Sequence, residues 1–265
     1  MTTNALHMPM VFFGHGSPMN TLEHNQYTEA WRCLGESVPK PKAILSVSAH
    51  WYTRGTAVTA IESPRTIHDF GGFPQELFEV QYLAPGDPAL AARVRELLAH
   101  VDVQLDKTWG LDHGTWSVLV HAFPHADVPV VQLSIDGTKP PSFHYELAQQ
   151  LAPLRNEGVL IIGSGNVVHN LGQIHRGEDA KPYDWALRFN DKVRGYLTAR
   201  DHGPLIEYVT LGEDARLSVP TPDHYLPLLY VIAQQGENET ISFPVDGIEY
   251  GSIGMLTAVV GLRAG

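Results

Sequence analysis

Five of the fourteen histidines in this 265-residue chain stand where a predicted strand or helix ends or begins. Three of them end strands and two begin helices: His15 in FFGHGSP, His50 in SVSAHW, His169 after VLIIGSG, His113 in GLDHGTW and His224 in PTPDHYLP. Any one of them alone is best explained as a hydrogen-bonded residue on the rim of the fold. Together they favour a site, because imidazole is the commonest metal ligand and titrates near neutral pH. The constellation predicts a metal centre with groups that transfer protons.

Alternating apolar runs and amphipathic segments predict the elements that must position these histidines. Strands are expected at 11–18, 43–51, 56–62, 101–105, 128–136 and 158–166, with two or more closing strands in 241–261. Helices are expected at 88–100, 115–123 (started by Thr115), 143–155 (capped by Ser142), 183–197 and 226–235, and a surface connection at 201–219. Such alternation predicts an α/β fold with helices on both faces of a sheet. Ligands bind beyond the carboxyl ends of strands in such sheets, so the histidines are expected to meet at one rim.

The composition is that of a globular protein with an acidic balance. Eighteen lysines and arginines stand against 29 aspartates and glutamates, a formal net charge of −11. That balance argues against nucleic acid and anionic lipid as partners. The one cysteine, Cys33, cannot form an internal disulfide, no apolar segment has membrane-spanning length, and the first residues lack a secretion signal. We expect a cytoplasmic protein with a single domain over 1–265.

Other motifs in the chain are incomplete. GSGNVVH at 163–169 departs from the dinucleotide pattern GxGxxG at His169, and HExxH, GxxxxGK[ST] and GxSxG are absent. Ser17, Ser46 and Ser164 stand near histidines, but chance proximity explains this better than a hydrolase triad. The residues alone leave open a metal-dependent enzyme that transfers protons, a zinc hydrolase that activates water, and a metal-binding protein without turnover.

Seven segments together resemble the DOPA-dioxygenase type of extradiol ring-cleaving dioxygenases, in the superfamily of the protocatechuate 4,5-dioxygenase catalytic subunit. They are GHGSPMN (14–20), SVSAHW (46–51), IHDFGGFP (67–74), LDHGTWSVL (111–119), VVQLSID (130–136), GSGNVVHNL (163–171) and PTPDHYLPLLYV (220–231). They run from near the start of the chain to near its end. The resemblance implies a three-layer α/β/α sandwich around a central mixed sheet, forming one catalytic domain.

The resemblance also implies roles for individual residues. The predicted metal ligands are His15, His50 and His224, and His169 joins them when no substrate is bound. His224 stands where the protocatechuate-cleaving branch has a glutamate. His169 and His113 match the base and the acid of ring cleavage. His68, Phe70 and Tyr225 are predicted to contact the substrate ring, and packing at the rim is an equal alternative for these three.

The implied reaction inserts both atoms of O₂ into a catechol next to the hydroxyls. L-DOPA is the expected substrate in vitro, opened at the 4,5 bond to a muconate semialdehyde. Three imidazoles form a ligand set familiar from zinc, yet zinc has no redox chemistry, so we expect Fe(II) for turnover and Zn(II) as an occupant in purified protein. The rival function is a zinc hydrolase that uses the same histidines. The partners expected are a catechol and O₂, with no nucleic acid or membrane, and the protein is expected as a monomer or small homo-oligomer.

Overall fold

The computed structural model describes residues 7–177 and 180–262. Within these ranges the strands are β1 (Met10–Gly14), β2 (Ala43–Thr53), β3 (Thr56–Thr59), β4 (Val103–Asp106), β5 (Val130–Asp136), β6 (Val159–Gly165), β7 (Ile241–Val245), β8 (Ile248–Glu249), β9 (Ile253–Gly254) and β10 (Thr257–Val260). Eight of them form one sheet in the order β4-β3-β5-β2-β6-β1-β10-β7, and β8 pairs with β9. The predicted strands are therefore present, and the tail supplies the closing ones.

The sheet is mixed, with a parallel centre. The strand β2 pairs in parallel with β5 and β6, and β6 pairs in parallel with β1. The strands β10 and β7 extend one edge in antiparallel pairing, and β3 pairs antiparallel with β5. Because β5, β2, β6 and β1 run in the same direction, their carboxyl ends lie at one edge of the sheet, where the predicted site belongs.

Helices cover both faces of this sheet. In the described residues they are α1 (Gln26–Ser37), α2 (Gln75–Glu79), α3 (Pro88–Leu97), α4 (His113–Ala122), α5 (Pro141–Gln149), α6 (Pro153–Glu157), α7 (Asp184–Ala199), α8 (Gly203–Ile206), α9 (Glu213–Ser218) and α10 (Leu226–Ile232). Short 3₁₀ turns occur at Pro18–Thr21, Leu171–Gln173 and Tyr208–Leu211.

Alternate residues of β1 enter two separate cores. Met10 and Phe12 belong to the core that α3, α5, α7 and α10 cover, whereas Val11 and Phe13 belong to the core that α1 and α4 cover. Successive side chains of a strand point to opposite faces, so a strand that is apolar throughout requires cover on both sides. The structure thus confirms the predicted three-layer α/β/α sandwich around a mixed sheet.

Three details of the predicted elements are wrong. The helix expected from Thr115 begins at His113, because Asp112 caps it. The helix expected at 143–155 is divided into α5 and α6 where Pro153 lacks an amide hydrogen, and Pro140, not Ser142, occupies its cap position.

The stretch at 201–219, expected as a surface connection, instead contains two short helices and a 3₁₀ turn. These elements bury Leu205, Tyr208 and Ala215 against the core. Their apolar residues are too few to show a periodicity in the sequence. Within the described residues, no helix is both long and apolar enough to cross a lipid bilayer.

Candidate metal centre

His15 lies directly after β1 and is 2% exposed. Its Nδ1 lies 3.0 Å from the Ser164 hydroxyl, which in turn donates its only hydrogen to the Gly114 carbonyl. Since that hydrogen is committed, the serine oxygen can only accept from the histidine. His15 is therefore the Nδ1–H tautomer, and its Nε2 lone pair is free for a metal ion.

His50 lies inside β2 rather than at its end, because the strand continues to Thr53. The pairing of β2 with β5 shifts register between Val47 and Tyr52, so this part of β2 bulges away from the regular ladder. Bulges beside active sites commonly re-aim a side chain. Here the irregular stretch brings Nε2 of His50 to 3.2 Å from Nε2 of His15.

His113 is the first residue of α4 and is buried. Asp112, which is fully buried, caps this helix by accepting the Thr115 amide. The same carboxylate accepts the Ser48 hydroxyl at 2.6 Å and the Gln132 side-chain amide at 2.7 Å. The start of α4 is thus hydrogen-bonded to β2 and β5, and these bonds fix the position of His113.

His169 and His224 form another part of the site. Their rings stack with centroids 3.4 Å apart and planes 6° from parallel. The backbone of His224 approaches β6 so closely that a Cβ on Gly165 would lie 2.1 Å from its carbonyl oxygen. The backbone of His169 is held by the Ser218 carbonyl, which accepts its amide at 2.8 Å.

All five histidines meet at one place, as the sequence predicted. The ring of His224 lies 5.3 Å from that of His15 and 5.0 Å from that of His50, centroid to centroid. His15, His50 and His113 each offer one ligand nitrogen, and these three atoms lie within 4.8 Å of one another.

Burial favours the neutral form of four of these imidazoles. It lowers the pKa of His15 and of His113, and a neighbouring His50 adds to both effects. Burial also lowers the pKa of His224 to about 4 and that of His169 to about 2. Metal ligands must be unprotonated, so these shifts prepare the rings for a cation.

The spacing fits a metal ion. Two nitrogens that bind one ion at about 2.0–2.1 Å lie roughly 3.0–3.4 Å apart, which is the separation of the His15 and His50 Nε2 atoms. If both are unprotonated, two lone pairs face each other across this gap. A cation between them relieves that repulsion, so the donor set suits a divalent metal.

Two carboxylates stand behind the imidazoles. Oδ2 of Asp69 lies 3.2 Å from Nδ1 of His50 and 3.0 Å from Nδ1 of His113, and Asp223 contacts Nδ1 of His224. Burial opposes the charge on both aspartates, but the imidazole contacts outweigh it and hold both carboxyl pKa values well below the usual range. Such carboxylate–histidine pairs orient metal ligands in known sites.

The three histidines whose nitrogens lie within 4.8 Å of one another differ from the predicted ligand set in one member. They include His113, predicted as the acid, where the prediction has His224. The structure brings both to the site, and the assignment of ligand and acid stays a prediction.

The residues predicted to contact substrate separate into two groups. Phe70 lies 5.4 Å from the His113 ring, and His68 lies 5.8 Å from Phe70, centroid to centroid. Both are partly exposed. Tyr225 is fully buried, packs on Tyr208 and donates its hydroxyl to the Leu205 carbonyl, so the structure places it in the core. This burial favours the packing alternative for Tyr225, and its contact with the substrate ring stays a prediction.

Asp69, Asp112 and Ser164 organise the site, and the sequence did not predict this role for them. Asp69 and Asp112 lie in segments that carried the family resemblance, beside His68 and His113. The sequence signal for these two was an aspartate directly next to a candidate histidine. Ser164 contacts a histidine 149 residues away, and no local pattern could indicate that pairing.

The fold and the site together define an α/β enzyme with a histidine metal centre at the carboxyl ends of its parallel strands. A family model described as the catalytic LigB subunit of aromatic ring-opening dioxygenase matches residues 6–251. The chain belongs to this family and is an extradiol aromatic ring-opening dioxygenase. The family resemblance stated from the seven segments is confirmed.

Individual relatives agree with this class. The chain is 54% identical over 258 residues to 4,5-DOPA dioxygenase extradiol of Escherichia coli (strain K12), covering 96% of this chain and 95% of that protein. It is 40% identical over 256 residues to 4,5-DOPA dioxygenase extradiol of Beta vulgaris, covering 91% and 94%. These relatives favour ring opening over the zinc hydrolase.

A solved structure has the same fold. The crystal structure of an uncharacterized protein from Escherichia coli K12 superimposes with a TM-score of 0.84 at 49% identity, covering 96% of this chain and all of that one.

Proposed function

We propose that this dioxygenase opens L-DOPA at the 4,5 bond to a muconate semialdehyde, with Fe(II) held by His15, His50 and His224. The observation that carries the proposal is the convergence of five imidazoles, three buried and two partly buried, with the His15 and His50 Nε2 atoms 3.2 Å apart. Two relatives named as 4,5-DOPA dioxygenases support the substrate. His169 joins the ligands when no substrate is bound.

Fe(II) held by these histidines would supply a Lewis acid for the catechol oxygens and an electron for O₂. Zinc lacks the second ability, so Zn(II) occupies the site in purified protein without supporting turnover. The remaining steps belong to side chains of this chain.

His169 acts as the base that removes the second catechol proton. Burial, with His224 beside it, lowers the pKa of His169, so the ring is neutral and its lone pair is available, and the Asp223 carboxylate acts in the opposite direction by stabilising the protonated ring that forms. Its stacking on His224 at 3.4 Å holds it next to a proposed ligand, where a bound hydroxyl would lie. A positioned base of this kind contributes roughly 10²–10⁴ in rate.

His113 acts as the acid. Burial and His50 lower its pKa, whereas the Asp69 carboxylate 3.0 Å from Nδ1 opposes that shift by stabilising the protonated ring. An acid must reach its protonated form during the reaction, and Asp69 makes that form accessible. His113 therefore donates a proton as the ring opens.

The catechol ring lies against the wall that Phe70 and His68 form beside His113. Phe70 makes edge contacts with His113 and with Phe73, and the His68 Nε2–H donates to the Val80 carbonyl. A partly exposed aromatic wall next to the acid suits a flat aromatic substrate.

The proposal extends to the whole protein. The chain acts as one catalytic domain over 1–265, as a monomer or small homo-oligomer in the cytoplasm. Its partners are a catechol and O₂, and the acidic balance of the chain argues against nucleic acid and membrane lipid.

Anaerobic reconstitution tests this function. Metal-free protein is loaded with Fe(II) or Zn(II), mixed with L-DOPA, and exposed to air in an oxygen electrode while the yellow semialdehyde is followed by absorbance. We expect one O₂ consumed per ring opened with Fe(II), and no uptake with Zn(II). Faster turnover of catechol, protocatechuate or homoprotocatechuate than of L-DOPA would contradict the substrate assignment. The absence of O₂ uptake with all four compounds would contradict the activity.

A further inference from the structure

A single carboxylate faces two histidines of the site. Oδ2 of Asp69 lies 3.2 Å from Nδ1 of His50 and 3.0 Å from Nδ1 of His113, and Oδ1 accepts the His113 backbone amide at 2.9 Å. The Asp69 side chain is 19% exposed, and the His113 side chain is 6% exposed. The two rings lie 3.8 Å apart, centroid to centroid, so one charge serves both.

No well-aligned hydrogen bond satisfies the buried Nδ1 of His113 within residues 7–177 and 180–262. The Asp69 contact is close but off the N–H direction, so its effect on the ring is chiefly electrostatic. An anion 3.0 Å from an imidazole nitrogen stabilises a proton there and repels a lone pair. Asp69 therefore favours the Nδ1–H tautomer of His113, and by the same argument that of His50.

We propose that Asp69 is a shared positioning residue that sets the tautomers of His50 and His113 together, so that the Nε2 lone pair of His50 is free for the metal ion and that of His113 is free to take up the proton it later donates. The terms ligand for His50 and acid for His113 rest on the proposed function. The tautomers themselves do not depend on it.

Asparagine at this position cannot replace the carboxylate. If its oxygen keeps the His113 backbone amide, its NH₂ group faces both Nδ1 atoms and favours lone pairs on them. The protons then move to Nε2, which in His50 is the atom that must bind the metal. Loss of one charge therefore affects two rings, whereas loss of an ordinary loop aspartate affects none.

Ring-nitrogen NMR of the ¹⁵N-labelled protein tests the tautomers directly. In protein loaded with diamagnetic Zn(II), we expect protonated Nδ1 in both His50 and His113. In metal-free protein we expect protonated Nδ1 in the His113 ring as well. This measurement tests the inference even if the protein does not bind a metal. Protonated Nε2 with bare Nδ1 in His113 would overturn the proposal.

Metal affinity gives the second readout. Competition titration with Co(II) and a chelator compares wild type, Asp69→Asn, Asp69→Glu, and the control Asp102→Asn, whose exposed side chain accepts a hydrogen bond from the Gln104 side chain. We expect Asp69→Asn to weaken Co(II) binding roughly 10- to 100-fold, with an altered visible spectrum, as for other groups that hold metal-binding histidines. Asp69→Glu recovers part of this loss, and the control stays within twofold.

Thermal unfolding of the metal-free variants separates positioning from folding. An Asp69→Asn protein that melts like wild type and binds Co(II) with unchanged affinity would overturn the proposal. An Asp69→Asn protein with the same His113 tautomer as wild type would also overturn the proposal. Because none of these measurements uses iron or a catechol, failure of ring cleavage would count against the proposed function alone.

Discussion

At the scale of the residue, the chemistry depends on which nitrogen of each imidazole carries a proton. Ser164 settles this for His15, since its own hydrogen goes to the Gly114 carbonyl. Carboxylates next to Nδ1 favour the same tautomer in His50, His113 and His224. A set of rings with Nδ1 protonated presents its Nε2 atoms to one ion.

Substitution of single histidines separates ligand from acid. We expect His224→Gln to weaken Co(II) binding by more than the roughly 10- to 100-fold that loss of an outer-shell partner costs. His113→Gln should keep most of the affinity and lose roughly 10²–10⁴ in kcat with Fe(II). The measurements are chelator competition and oxygen uptake, with the exposed His125→Gln as control. The reverse pattern would make His113 the third ligand, in line with its place in the compact group of three.

The sequence could show the histidines but not their partners. His15, His50, His113, His169 and His224 are visible because they stand beside predicted element ends. The pairing of His15 with Ser164 and of His113 with Asp69 spans 149 and 44 residues. Contacts at such separations depend on how strands are ordered in the sheet, which no local periodicity contains.

At the scale of the element, α4 shows how a helix start serves the site. Asp112 caps it and also accepts hydrogen bonds from Ser48 and Gln132, so one buried carboxylate joins the helix to the sheet. The predicted start at Thr115 is two residues late because the cap aspartate precedes the helix it stabilises. Gly114 allows close packing here, since a Cβ would lie 2.4 Å from the Ser48 hydroxyl.

Removal of this cap should destabilise the protein. Asp112→Ala loses a cap worth about 0.5–2 kcal/mol and leaves buried donors unpaired at about 1–3 kcal/mol each. We expect the free energy of unfolding to fall by more than about 2 kcal/mol in urea titration. Asp87→Ala, which removes the aspartate cap of α3, is the matched control and should cost only the cap contribution. If the free energy of unfolding falls equally in the two variants, Asp112 contributes only a helix cap.

At the scale of the whole molecule, the sequence predicted the layers but not the strand order. Apolar runs and amphipathic helices indicate a sheet covered on two faces. The order β4-β3-β5-β2-β6-β1-β10-β7 places strands far apart in the chain side by side, and only long-range packing selects it. The acidic balance of −11 was visible in the sequence, but the burial of one of its carboxylates, Glu249 in β8, was not.

That carboxylate makes stability depend on pH. Burial, and then the nearby Glu23, raise the pKa of Glu249 to about 7 from a usual value of 4.5. Below the usual value the group is protonated in both states and contributes nothing. As pH rises towards 7 the unfolded chain ionises first, so the folded state loses relative stability, and this loss is complete above 7.

Glu249→Gln should therefore raise the melting temperature by a few degrees at pH 8 and leave it unchanged at pH 4. Thermal unfolding followed by circular dichroism across this range measures the difference. The exposed Glu146→Gln is the control. A gain that is the same at both pH values would show that ionisation of Glu249 is not its cause.

Extradiol cleavage places both atoms of O₂ in one product, at the two carbons of the ring bond that breaks beside the hydroxyls. The most direct test uses ¹⁸O₂ with Fe(II)-loaded protein and L-DOPA, with the aldehyde reduced at once by borohydride so that it neither exchanges oxygen nor closes on the amine. Mass spectrometry should then find two ¹⁸O atoms in the product, one in the new carboxylate and one in the new alcohol. A product with one ¹⁸O or none, or with two new carboxylates, would contradict extradiol cleavage.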